Sequence, residues 1–115
     1  MVLAAILFIV FPVVVQDEDA PKRTIRWKTA SEVDNFGFDV FRGESEEGPF
    51  TKLNAKPVAG AGTSDEPRSY MWVDDTIDPD KAYFYYVESI SLTGIREKFT
   101  PTFRVKPYSE DHPKK

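Results

Sequence analysis

The chain has 115 residues, 41% of them hydrophobic and 14% aromatic, enough for one domain with one packed core. Its 15 Lys and Arg against 19 Asp and Glu leave a net charge of -4 with no basic block, which excludes nucleic acid as a partner. Cysteine is absent, so disulfides, thiolate metal sites and cysteine nucleophiles are excluded and cohesion falls to packing alone.

Residues 1–15 differ in kind from the rest. Val2 to Val15 is apolar throughout, contains Pro12, and ends abruptly at Gln16-Asp17-Glu18-Asp19. As a helix this run would cover about 21 Å, short of a hydrocarbon core of about 30 Å, which favours the apolar region of an export signal. No Lys or Arg precedes the run, and Val13 and Val15 stand where a cleavage site wants small residues. A retained membrane anchor and a buried N-terminal strand are the competing readings. Lys22, Arg23 and Arg26 would draw the following domain toward the cytoplasm, against export. The organisation expected is an apolar leader at 1–15, a polar linker at 16–23, a domain at 24–107 and a mobile polar tail at 108–115.

From Thr24 onward the pattern has period two. Thr24 to Thr29 alternates, with Ile25 and Trp27 on one side and Thr24, Arg26 and Lys28 on the other. Ser31 to Asn35 is polar and turn-prone. Phe36 to Arg42 then extends, with Phe38 and Val40 on one face and Asp39 and Phe41 on the opposite one. After an acidic turn, Phe50 to Leu53 is long enough only for an edge strand. Asn54 to Arg68, with Pro57, Gly60, Gly62 and Pro67, is expected to be irregular, a crossing from one sheet to the other.

Ser69 to Asp74 alternates Tyr70 and Trp72 with Met71 and Val73. A turn rich in aspartate leads into Tyr83 to Ile90, whose aromatic and branched residues suit a central strand. Thr93-Gly94 closes a hairpin, and Ile95 to Val105 returns antiparallel, interrupted by Pro101. Turn signals at short intervals and no sustained helical period predict an all-β antiparallel sandwich of about six or seven strands.

The segment Trp27-Lys28-Thr29-Ala30-Ser31-Glu32, then Asn35 to Arg42, then Gly48 to Leu53, resembles the fibronectin type III domains of bacterial exported proteins. Ile77-x-Pro79-x-x-x-Tyr83-x-Tyr85-x-Val87 is similar to the turn and central strand of the same family. The resemblance covers about Thr24 to Val105. It implies that Trp27 is the core tryptophan of the second strand and that Tyr83 is a corner tyrosine, its hydroxyl bonded to backbone near Ile77. The implied framework is Trp27, Phe38, Val40, Tyr70, Trp72, Ile77, Pro79, Tyr83, Tyr85 and Val87. The sequence departs from the family before Thr24, where the first strand is short or missing, or is supplied by the end of the leader. A missing strand would leave an edge that another polypeptide could extend.

With Tyr83, Tyr85 and Val87 inward, Phe84, Tyr86 and Glu88 point outward, on the same face as Asp39 and Phe41. This aromatic group rimmed by charge suits a protein or carbohydrate contact. The alternative is that Arg96 and Lys98 cover the rings with their stems, or that the tail does.

Asp74, Asp75, Asp78 and Asp80 crowd one turn, but the glycine of a calcium loop is missing, so solvated turn carboxylates are the expectation. The single His112 sits in the polar tail beside Pro113, where no catalytic triad is expected, and no carboxylate pair is fixed across a cleft. The expectation is a non-catalytic module with no cofactor and no metal. Two roles follow. One is a small accessory subunit held through Val2 to Val15 to a membrane protein complex; the other is a secreted or cell-surface adhesion or carbohydrate-binding module with its signal cleaved. Both put the domain outside the cytoplasm, periplasmic or at the cell surface, free or anchored.

Overall fold

The strand Tyr83–Ser91 sits in the middle of the larger sheet, because its alternation gives it two usable faces and its neighbours cover both edges. A computed structural model describes residues 20–113; the leader readings and the first part of the linker lie outside these residues. In chain order the elements are β1 (Arg23–Thr29), β2 (Glu32–Gly43), β3 (Phe50–Lys52), β4 (Val58–Ser64), β5 (Arg68–Asp74), β6 (Tyr83–Ser91), β7 (Arg96–Lys98), β8 (Phe103–Val105) and a single helical turn α1 (Tyr108–Asp111).

Two antiparallel sheets face each other. One pairs β1 with β5 from Arg23 opposite Asp74 to Thr29 opposite Arg68. The other is six-stranded, running β3-β2-β6-β7, with β4 also paired to β2 and β8 also paired to β6. The molecule is an all-β antiparallel sandwich. Ile25 and Trp27 of β1 meet Phe38 and Val40 of β2 and Tyr83, Tyr85 and Val87 of β6 in one buried cluster. Tyr70, Trp72, Ile77 and Val105 pack around it, half-buried. Trp27 meets Phe38 edge-on at 5.5 Å and stacks on Tyr70 at 5.8 Å, geometries that add to plain area burial. The Tyr83 hydroxyl accepts the Asp78 N–H at 2.8 Å and pins the turn entering β6.

Three expectations are corrected. Asn54 to Arg68 is not irregular throughout: Val58–Ser64 is a strand on β2. Its small residues serve close approach, since a Cβ at Gly60 would lie 2.9 Å from the Asn35 carbonyl oxygen and one at Gly37 2.5 Å from that of Val58. The polar stretch Ser31 to Asn35 belongs largely to β2, which starts at Glu32 and is bulged on either side of Asn35. Asp34 has φ 49° in that bulge, a conformation aspartate tolerates better than most residues.

The tail is also ordered through α1. Ser109 N–H reaches the Pro79 carbonyl at 2.9 Å, and Arg23 bonds both the Lys106 carbonyl at 3.0 Å and Asp111 at 3.2 Å, so the C-terminal turn is clamped to the start of β1. The return over Ile95 to Val105 is split as Pro101 suggests. Phe99 and Thr100 N–H both donate to the Val87 carbonyl, and β7 and β8 pair with β6 on either side of that irregularity.

Burial of Trp27 predicts that Trp27→Ala lowers unfolding free energy by about 3–5 kcal/mol in a urea melt. Tyr83→Phe, which removes only the hydroxyl, should cost about 1 kcal/mol. A nearly neutral Trp27→Ala would contradict the core described here.

Candidate functional site

The outer face of the larger sheet is well satisfied within itself. Phe41 stacks on Tyr86 at 4.9 Å with an interplanar angle of 5°, Phe50 meets the same ring edge-on at 5.0 Å, and Lys98 Nζ lies over it at 4.9 Å. Phe41, Phe84 and Tyr86 are half-buried. Arg96 donates to Asp39 and to Glu88, each at 2.8 Å. Asp39 lies on this face yet is 0% exposed, because Asn54 Nδ2 covers its other oxygen at 2.9 Å. It therefore cannot touch a partner, which corrects the expectation of an exposed acid there.

Two further buried carboxylates tie the sheets together. Asp74 of β5 accepts the Tyr85 hydroxyl at 2.7 Å, Arg42 at 2.9 Å and the Thr76 hydroxyl at 2.8 Å. Burial raises the Asp74 pKa, but these bonds outweigh it and hold the carboxyl below the usual range, while burial and the Asp74 charge push Tyr85 up. The aspartate-rich turn is otherwise a set of local caps; Asp78 accepts the Asp80 N–H at 2.9 Å.

Glu32, at the start of β2, accepts from Tyr70, from Thr29 at 2.8 Å, from Asn35 at 2.7 Å and from the Ala61 N–H at 2.9 Å. Burial alone would raise its pKa; the hydrogen bonds from Tyr70, Asn35, Ala61 and Thr29 overcome that and hold it at about 2. Burial and the Glu32 contact push Tyr70 up to about 12. With four donors on it and so low a pKa, Glu32 has no proton to give near neutral pH, so it suits scaffolding and not general acid chemistry.

The surface left unsatisfied lies beside this group. An open cleft of about 690 Å³ is lined by Thr29 and Ser31 on one side, by Ser89, Glu97 and Phe99 on another, and has Glu32, Asn35 and Phe38 among its walls. Its rim carries Val33 at 77% exposure, Leu92 at 60%, Ile95 at 62% and Phe99 at 41%. These are four of the seven large apolar side chains that are exposed among the described residues. The cause is local. Around β7, Arg96 and Lys98 turn to the outer face, so alternation sends Ile95, Glu97 and Phe99 toward the opposite sheet. Among the described residues that sheet consists of β1 and β5, and it does not cover them.

Phe99 rests edge-on against Phe38 at 5.6 Å with much of its surface in solvent. The Leu92 N–H donates to the Asp34 carbonyl at 2.9 Å, which holds the hairpin tip against the β2 bulge and makes the rim one unit. Three carboxylates, of Glu32, Asp34 and Glu97, line the cleft, and no Lys, Arg or His does.

The sequence reading did not single out Val33, Leu92, Ile95 or Phe99. The available signal was Leu92 and Ile95 flanking Thr93-Gly94, apolar residues at a hairpin tip where turns are ordinarily polar. Among the described residues no group of three or more His, Asp and Glu could hold a metal ion, and no helix is long and apolar enough to cross a membrane. Fold and surface define a class, an all-β antiparallel sandwich with an apolar cleft at one end. No family model, no curated protein and no solved structure matches the chain.

Glu32 gives a pH signature. A pKa lowered from 4.5 to about 2 contributes about 3 kcal/mol that is fully present above pH 4.5 and is lost as the pH falls toward 2. Glu32→Gln should therefore be less stable than the wild type by up to about 3 kcal/mol near neutral pH, with the gap closing in acid. Urea melts of both proteins across that range read it; parallel acid limbs would mean that Glu32 is not held as described.

Proposed function

We propose that the chain is a non-catalytic, fibronectin type III-like interaction module that acts as a small accessory subunit on the aqueous side of a membrane protein complex. The observation that carries the reading is the cleft rim. Val33, Leu92, Ile95 and Phe99 expose apolar area side by side on a hydrogen-bonded scaffold, and contiguous apolar surface set in polar surroundings is what protein contacts use. The family reading is supported by the bond between Tyr83 and the Asp78 N–H and by the place of Trp27 in β1. The tether is supported by the uninterrupted apolar composition of Val2 to Val15.

A non-catalytic role fits the chemistry of the buried carboxylates Glu32, Asp39 and Asp74, which are engaged in hydrogen bonds within the fold, and of His112, whose ring stacks on Tyr108 at 3.8 Å. The aromatic outer face offers a sugar little, because the Tyr86 ring already carries Phe41, Phe50 and Lys98.

The test is purification of the native protein in mild detergent, compared with Leu92→Asp and Ile95→Asp. A polypeptide that travels in fixed stoichiometry with the wild type should be lost from both variants, while their melting temperatures change little because both positions are exposed. Retention of the partner by both variants would overturn the reading.

A further inference from the structure

The uncovered face of β7 and the outer edge of β1 are parts of one gap. β1 pairs with β5 along its whole length from Arg23 to Thr29, and among the described residues its other edge pairs with no strand. The cleft runs from the end of that strand, at Thr29 and Ser31, to Ser89, Glu97 and Phe99 on the facing sheet. A single strand laid along the outer edge of β1 would extend the smaller sheet over β7. It would take up the free backbone groups of β1 and cover Ile95 and Phe99 with alternate side chains.

We infer that the cleft is a strand-acceptor site whose occupant is an extended segment of a partner polypeptide, with apolar residues at alternate positions and a lysine or arginine facing Glu97 and Asp34. The inference rests on the interaction-module reading and specifies the partner. Its occupant follows from charge: the lining has three carboxylates and no basic residue, and Glu97 forms no ion pair among the described residues. Residues 1–19 contain no Lys or Arg, so none of their side chains is that cation. A second copy offering its own β1 is also disfavoured. Its Ile25 and Trp27 are already buried under its own larger sheet, and its exposed Arg26 and Lys28 would meet the same residues across the new edge.

Amide exchange on the full-length chain tests this, with a synthetic peptide of the length of β1 that alternates valine and threonine and carries one lysine. Those β1 amides that point away from β5 should exchange quickly in the chain alone and at least about tenfold more slowly with the peptide. The same peptide N-methylated along its pairing edge should lose that protection, and Glu97→Lys in the full chain should weaken binding by about tenfold.

Protection of the outward β1 amides in the chain without peptide would mean that the edge is already filled, by the chain's own N-terminal segment or by a second copy, and would overturn the inference. So would equal binding of the methylated peptide, or a Glu97→Lys variant that binds as well as the wild type. Each of these results leaves the detergent purification of Leu92→Asp and Ile95→Asp free to uphold or reject the interaction module by itself.

Discussion

Two tyrosine–carboxylate hydrogen bonds hold this sandwich in register, and both use β5. Tyr85 of β6 donates to Asp74 at one end of that strand, and Tyr70 near its other end donates to Glu32 of β2. Each bond crosses from one sheet to the other. A sheet of two strands has little area with which to fix its angle on a larger one, and apolar packing is tolerant of sliding. Buried polar groups are not tolerant. A shift of one residue would strand a carboxylate without its donors, at a cost of several kcal/mol. The dry centre supplied by Trp27, Phe38, Val40 and Val87 provides cohesion, and the two polar ties decide how the sheets sit.

The same arrangement explains the gap at β7. Because β5 is anchored at both ends, the smaller sheet cannot slide across to cover Ile95 and Phe99 without breaking Tyr70–Glu32 and Tyr85–Asp74 together. The exposed apolar rim is therefore a rigid consequence of the scaffold, and it is not relieved by local rearrangement. The hairpin tip is held in turn, through the Leu92 N–H on Asp34, by a bulge that also presents Glu32 to its donors. Preorganisation of this kind lowers the ordering cost of an occupant, so more of its buried area is expressed as affinity.

Much of the architecture was legible in the sequence, because alternation is a local property. Tyr83-x-Tyr85-x-Val87 and Ile25-x-Trp27 announce strands and assign their inward faces without reference to anything distant. β4 was not legible: Ala59, Gly60, Ala61 and Gly62 have poor strand propensity, and they are small because β2 approaches closely at Gly37 and Asn35, a tertiary fact. Glu32 reads as one polar residue in a turn-prone run until Tyr70 and Ala61 are brought to it from other strands. Asp39 was placed on the correct face by parity, but its coverage depends on Asn54 and Arg96, which the pattern of β2 does not mention. The cleft was the least legible of all. Ile95 and Phe99 point inward by alternation, as core residues do, and only the reach of the opposite sheet leaves them wet.

That last mismatch bears on electrostatics as much as on packing. The cleft places an ionised Glu32, held by its donors, behind exposed Asp34 and Glu97, with apolar side chains between. The buried charge cannot be neutralised by a solvent cation, because its oxygens are occupied; it acts as a fixed source of negative potential that low-dielectric walls direct outward. At the rim, Glu97 forms no ion pair among the described residues and the Asp34 carboxylate accepts only the Thr63 hydroxyl at 3.4 Å, so in the proposed site they would supply the contact while Glu32 supplies field. An apolar strand carrying one basic residue gains from both, and one carrying an acid is repelled before it can bury anything. In the proposed strand-acceptor site, selection by charge at the mouth and affinity from backbone pairing at the edge would be separable, because the first resides in β2 and β7 and the second in β1.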